Sequence, residues 1–465
     1  MNRETTPGHG DVPGMFDGPV LPVLVRLGLP ILAGMTVQLL YSVVDAFWVT
    51  RIDPSNPAIF GGVGLVFPIV FFAIALGNGL LIGTSSLVAR AVGAREHQVL
   101  SRVVESGLAI SVVLAVLVIT VGYTFGEDFV RLLGAEGEYF RHGYDYFRHI
   151  VPGAALMFVG AVFNGVLQGE GLMRHLMISI VLGTALNIVL DPILIFVVDL
   201  GVPGAALATV IAQTAAVVYS VQIVLRKKAL SRVEWKASHV DLRVIGRIVS
   251  VGLPQSVNQI LLSLTFLILN GIVVAIDPKA LTAFALVGRM DQIVLTPIFA
   301  TASTLVTMVG QNVGRGLYDR VRRIWRTGIA LAASVVAVLA GLLMVGAPVL
   351  YRAVTADPDV LAYAVRQTRV VELSFAFAAV TILGRSLFQA MGHPIPALII
   401  TSLRMFAIAI PMVYLLVNVF DLGMYGVWFG VVVGNVASGF ITFGWAASAL
   451  ERLRTGRLRG AVAAG

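Results

Sequence analysis

The chain contains no cysteine among its 465 residues, which excludes disulfides, thiolate nucleophiles and cysteine-ligated metals. Charge is scarce too. Asp, Glu, Lys and Arg together make up 12% of the residues, about half of what a soluble domain carries, so a charged, water-facing shell is excluded. The start also lacks something: residues 1–20 are polar and rich in Gly and Pro, without the basic stretch, short apolar core and cleavage site of a signal peptide, and they read as a cytoplasmic tail. No His-x-x-x-His or Gly-x-Ser-x-Gly is present to suggest an enzyme. The net charge of +8 is spread over separate loops instead of one basic face, so no nucleic-acid partner is expected.

What remains is apolar, at 58% of the residues. A hydrocarbon core of about 30 Å needs roughly 20 apolar residues per helix. Apolar runs punctuated by Pro, Gly and charge predict twelve spans, near 22–50, 58–88, 100–121, 143–168, 176–198, 203–226, 245–275, 281–308, 324–347, 364–390, 396–418 and 423–448. The fold class is therefore an all-α integral membrane protein. With the N-terminus inside, most of the 33 Lys and Arg fall in the tails and loops of the cytoplasmic side, so both termini are expected in the cytoplasm of a cell whose inner (plasma) membrane the chain crosses. The stretch Glu127–Arg148 reads as an external segment with a short surface helix.

Laid on itself, the chain repeats after about 222 residues. Gly28-Leu-Pro30 returns as Gly252-Leu-Pro254, Leu87-Val-Ala-Arg-Ala-Val-Gly93 as Met308-Val-Gly-Gln-Asn-Val-Gly314, Gln168-Gly-Glu-Gly171 as Gln389-Ala-Met-Gly392, and Asp199-Leu-Gly201 as Asp421-Leu-Gly423. Six spans per half is an even number, so the halves enter the membrane in the same orientation. Two parallel six-helix lobes related by an axis along the membrane normal follow, a known plan for alternating-access carriers. The expected organisation is a tail over 1–20, a first lobe over 21–226, a cytoplasmic linker over 227–243, a second lobe over 244–448 and a tail over 449–465.

Asp45 lies inside the first span and Asp191 inside the fifth. A carboxylate at membrane depth costs about 2.5 to 3.5 kcal/mol on insertion scales, so two in one lobe point to use. Gln38, Tyr41 and Asp45 recur at helical spacing and form a polar stripe. Asn187 and Asp191 are i, i+4 neighbours, Pro192 removes a backbone donor beside them, and Thr209 adds a hydroxyl from span 6. Carboxylates, an amide and a hydroxyl are oxygen ligands for a hard cation such as Na⁺, and two nearby carboxylates also hold a proton, so Asp45, Asn187, Asp191 and Thr209 are the candidate coupling or metal site for H⁺ or Na⁺. Tyr146, at the outer end of span 4, is a candidate gate. Gln38, Tyr41 and Asn164 are candidates to line a substrate cavity, and Pro30 would kink span 1 as a moving part. In the second half, where neither aspartate recurs, stand Arg289 with Asp291, Glu372, Arg385 and Arg404; Arg289 with Asp291, and Glu372 with an arginine from a neighbouring span, read as a salt-bridge network.

These motifs, in this order and over residues 26–445, resemble the multidrug and toxic compound extrusion (MATE) family, and within it the DinF branch. The resemblance implies a first-lobe cation site on Asp45, Asn187, Asp191 and Thr209 with Tyr146 and Asn164 as polar partners, and no second-lobe site of the NorM type, whose helix 7 position falls on Leu262 and helix 10 position near Ala378. It implies export of amphipathic or cationic small molecules in exchange for H⁺ or Na⁺ by a protein with no cofactor, acting as a monomer among membrane lipids. A lipid-linked saccharide flippase of the same superfamily is the alternative reading.

Overall fold

The computed structural model describes residues 12–53, 55–226, 229–231 and 239–458. The first half of the tail over 1–20, most of the linker over 227–243 and the end of the tail over 449–465 lie outside the described residues. Twelve helices among the described residues are long and apolar enough to cross a membrane: α1 (Val20–Thr50), α2 (Ala58–Ala94), α3 (His97–Leu132), α4 (Gly137–Glu170), α5 (Met173–Val197), α6 (Val202–Leu225), α7 (Leu242–Ile276), α8 (Pro278–Gly314), α9 (Tyr318–Arg352), α10 (Pro358–Ala390), α11 (Ile395–Asn418) and α12 (Met424–Arg454). Each coincides with a predicted span. The expected surface helix after Glu127 is instead the end of α3, which runs on to Leu132 before α4 begins at Gly137. The helix continues past the apolar run, where Glu127 and Arg131 pair across one turn at 3.6 Å and Arg131 suits the negative end of the helix dipole.

The repeat is visible in the backbone. Asp199 and Gly201 lead into α6 at φ of 59° and 59°, and Asp421 and Gly423 lead into α12 at 53° and 53°. Gly201 also has ψ of −130°, and Gly423 ψ of −133°, a region open essentially to glycine alone. We therefore expect Gly201→Ala to cost about 1 to 3 kcal/mol, read as a lowered unfolding midpoint of the purified protein. The packing repeats as well: α4 lies against α2, α3 and α6, and its counterpart α10 lies against α8, α9 and α12.

The chain forms two compact units. The first contains Leu29–Ser256 and the second contains Pro13–Gly28 together with the chain from Val257 onward. Thus the opening turns of α1 pack with the second unit, and the opening turns of α7 pack with the first. The change of unit falls within Gly28-Leu-Pro30 in α1 and two residues after the repeated Gly252-Leu-Pro254 in α7, near prolines that each remove one rung of the helical hydrogen-bond ladder. Pro30 lies inside a continuous α1.

In the first unit, small residues let α2 and α7 touch. A Cβ on Gly252 would sit 2.7 Å from the carbonyl oxygen of Gly79, and one on Gly83 would collide with the carbonyl oxygen of Ile248. The described part of the linker is clamped by Glu170, whose carboxylate accepts from the backbone N–H of Leu230 and of Ser231, both at 2.7 Å. Met391 occupies the corresponding position in the second half.

Candidate functional site

α5 and α6 are joined by a short turn and pack side by side, and α4 lies against α6. Asp191 is fully buried and Asn187 nearly so. Asn187 Nδ2 donates to Asp191 Oδ1 at 3.3 Å and lies 3.4 Å from Thr209 Oγ1, which itself donates to the carbonyl of Ala205 at 3.2 Å. From α1, Asp45 brings its carboxyl into hydrogen-bonding reach of both Asp191 and the Tyr41 hydroxyl. Tyr41 in turn reaches Thr209. The Tyr146 hydroxyl of α4 stands close enough to feel both carboxylates. An apolar cluster of Val49, Ile59, Ile195, Val202 and Ala205, with Trp48 and Tyr146 against it, walls the group.

Six polar side chains from four helices thus converge. Two facing carboxylates repel unless a proton or a cation lies between them. Asp191 Oδ2 and Asn187 Oδ1 are buried without a hydrogen-bond partner among the described residues, so two oxygens of the cluster keep lone pairs unused. With Asp45 and Thr209 they make an all-oxygen donor set of the kind hard cations take. Just past Asp191 and Pro192, residues Ile193–Val197 form a π-turn, an irregularity that often marks a functional stretch of helix.

The remaining candidates divide. Tyr41 belongs to the acidic cluster itself. Asn164 does not: its Oδ1 accepts from Ser220 Oγ at 2.8 Å, and Ser220 Oγ is 2.9 Å from Ser179 Oγ, about 16 Å along α6 from Thr209. Gln38 is exposed one turn before Tyr41.

In the second unit the expected pairing of Arg289 with Asp291 gives way to a different contact. Asp291 of α8 faces Glu372 of α10, carboxyl to carboxyl, while Arg289 is exposed. Residues two apart on a helix point to different sides, so Asp291 cannot follow Arg289. Glu372 is fully buried at a 3₁₀ turn, Glu372–Ser374, that interrupts α10. Nearby, the Tyr351 hydroxyl lies 2.8 Å from Thr368 Oγ1, and Asn435 Nδ2 donates to Ser374 Oγ at 2.7 Å. Arg385 and Arg404 lie close enough to feel each other's charge. Glu372→Gln should stay within about 1 kcal/mol of wild type, because its amide can donate to Asp291. Glu372→Leu should cost about 1 to 3 kcal/mol, because Asp291 is left buried without a donor. Thermal unfolding in detergent separates the two.

A membrane protein of two repeated six-helix units, with a buried cluster of carboxyl and neutral oxygen donors in one of them, has the architecture of an ion-coupled secondary transporter. The MatE family model matches residues 30–193 and again residues 254–415, once in each half, and the chain belongs to that family. It is 24% identical over 422 residues to the multidrug export protein MepA of Staphylococcus aureus strain MSSA476, covering 90% of this chain and 91% of MepA. Among solved structures, it superposes with a TM-score of 0.91 on the outward-facing conformation of a multidrug resistance MATE family transporter of the MOP superfamily, at 27% identity over 97% of this chain and all of the other. With the MATE transporter ClbM in complex with Rb⁺ the TM-score is 0.86 and the identity 32%, over 96% of this chain and 99% of ClbM.

Proposed function

We propose that this chain exports amphipathic or cationic organic molecules across the plasma membrane, driven by inward movement of H⁺ or Na⁺ through the Asp45–Asp191 cluster. The observation that carries this reading is the meeting of the two intramembrane aspartates, 146 residues apart in sequence, with Tyr41, Asn187 and Thr209 around them. The drug-like substrate class rests on relatives that are multidrug exporters.

In this reading Asp45, Asn187, Asp191 and Thr209 hold the ion and Tyr146 screens it, while Gln38 and the Asn164 region line the path of the substrate. Both termini are cytoplasmic, the working form is a monomer in the lipid bilayer, and neither a cofactor nor nucleic acid takes part. Filling the site removes the repulsion between the carboxylates and draws α1 toward α5. Pro30, where α1 changes unit, is the natural point for α1 to bend in response.

The test is transport of a fluorescent lipophilic cation by the purified protein in liposomes under an imposed proton gradient, an imposed Na⁺ gradient, or neither. Movement under one gradient and not the other identifies the coupling ion. No gradient-driven movement of any of several such cations would reject the reading.

A further inference from the structure

The second unit contains a cavity of about 640 Å³ that no part of the ion-coupled reading uses. Residues 16–20 form one side, and Arg320, Arg323, Arg326 and Thr327 of α9 form the other. Spacing of three residues keeps the three arginines on one flank of α9. Arg322, one residue away from Arg323, is exposed and does not line the cavity.

The near wall is firmly held. Arg320 is 5% exposed and donates from Nε to the carbonyl of Met15 at 3.0 Å and from Nη2 to that of Gly14 at 2.7 Å. Asn312 Nδ2 donates to the same Met15 carbonyl at 3.3 Å, Met15 is fully buried, and the Arg315 guanidinium covers the Phe16 ring at 3.5 Å. Segment 14–20 is therefore a fixed strap across the start of α9, and the cavity between them is shaped by fixed main chain.

Its chemistry is that of an anion site. Three guanidiniums line it against a single carboxylate, Asp17, and α1 begins at Val20 on its rim, so the positive end of a 31-residue helix dipole faces in. Arg323 and Arg326 are exposed and free to reorient their donors. The volume exceeds what one inorganic anion needs. Two apolar spans, α1 and α9, start at the cavity, and Leu21 beside it is 47% exposed, so a molecule seated here would carry its charged end in the cavity and an apolar part along the helices.

We propose that this cavity binds a phosphate ester, and specifically the headgroup of an anionic phospholipid, pinning the strap and the first turn of α1. Basic pockets between helix ends are suited to such headgroups. The bound lipid strengthens the hold of the second unit on α1, the helix that carries Asp45 further along.

The test uses the full chain purified in a neutral detergent. Added phosphatidylglycerol should raise the unfolding midpoint by at least about 2 °C, as ligand linkage requires, and phosphatidylcholine should not. The double variant Arg323→Gln/Arg326→Gln should fold, since both side chains are exposed, and lose that shift, while Arg322→Gln keeps it. Inorganic phosphate in place of lipid is the third arm. A shift with phosphatidylglycerol alone assigns the site to lipid, and an equal shift with phosphate assigns the same arginines to a soluble phosphate. A phosphatidylglycerol shift that survives in the double variant, or one matched by phosphatidylcholine, would overturn the proposal.

Discussion

Asp45→Asn and Asp191→Asn should each lower gradient-driven transport at least about tenfold, because an ion drives a carrier only through a difference in its affinity for two states, of about 1 to 3 kcal/mol. The two substitutions change shape very little. Asparagine at 45 still reaches Tyr41 and Asp191, and asparagine at 191 still meets Asn187, whose amide lies 3.3 Å away. What changes is charge: one carboxylate instead of two, and with it the reason for a proton or Na⁺ to occupy the cluster. Removing Thr209 by alanine deletes one neutral oxygen and should weaken coupling less than either aspartate change. Thr209 also ties Asn187 in place at 3.4 Å, so some loss is expected. Membrane insertion and the unfolding midpoint should stay near wild type in both aspartate variants, since each removes a buried charge without opening a void. Downhill substrate exchange, which needs no ion, should persist. Full coupled activity in both variants, measured in the same liposomes, would remove Asp45 and Asp191 from the mechanism.

The acidic cluster was legible in the sequence because the membrane makes polarity conspicuous. Asp45 and Asp191 stand out in apolar runs, and helical spacing alone brings Asn187 beside Asp191 and Tyr41 beside Asp45. Which helix faces which is not in the spacing. Tyr41 reads as a cavity residue until α1 is seen to turn it toward Thr209, and the spacing of Asn164, a cavity candidate, does not show that it bonds Ser220. The Asp291–Glu372 contact was hidden for the same reason: it depends on the rotation of α8 against α10 and on the 3₁₀ turn at Glu372, neither of which hydropathy encodes. The twelve spans and the repeat were legible because apolar length and recurring turn residues are local. That the opening turns of α1 and α7 pack with different units from the rest of their helices was not, since an apolar helix gives no sign of its partner. The repeated Gly-Leu-Pro motif contains the first of these places and lies two residues before the second.

Gly83→Val should cost at least about 3 kcal/mol and leave little folded protein after detergent extraction. At this position α2 meets α7 backbone to backbone: a Cβ on residue 83 lands on the carbonyl oxygen of Ile248 and comes within 3.2 Å of its carbonyl carbon and of its Cγ2. Ile248 can move its side chain but not its carbonyl, because that oxygen is fixed by the helix. Relief therefore requires α7 to shift, and the next contacts up the same seam prevent it, with Gly252 against Gly79 and the Ser256 hydroxyl already against the space a Cβ on Gly79 would take. The start of α7 is further tied to α3, where Asp241 N–H donates to Ser106 Oγ at 3.1 Å, so the helix is held from both ends of the contact. Gly64→Ala, on the same helix, is the control. Nothing lies within 4 Å of its Cβ, and alanine should be neutral or stabilising by about 0.5 to 1 kcal/mol through helix propensity. Equal behaviour of the two variants would mean that the seam does not hold α7. The expected contrast would instead fix the opening turns of α7, Pro254 included, to the first unit as far as Ser256, with the helix passing to the second unit from Val257 onward.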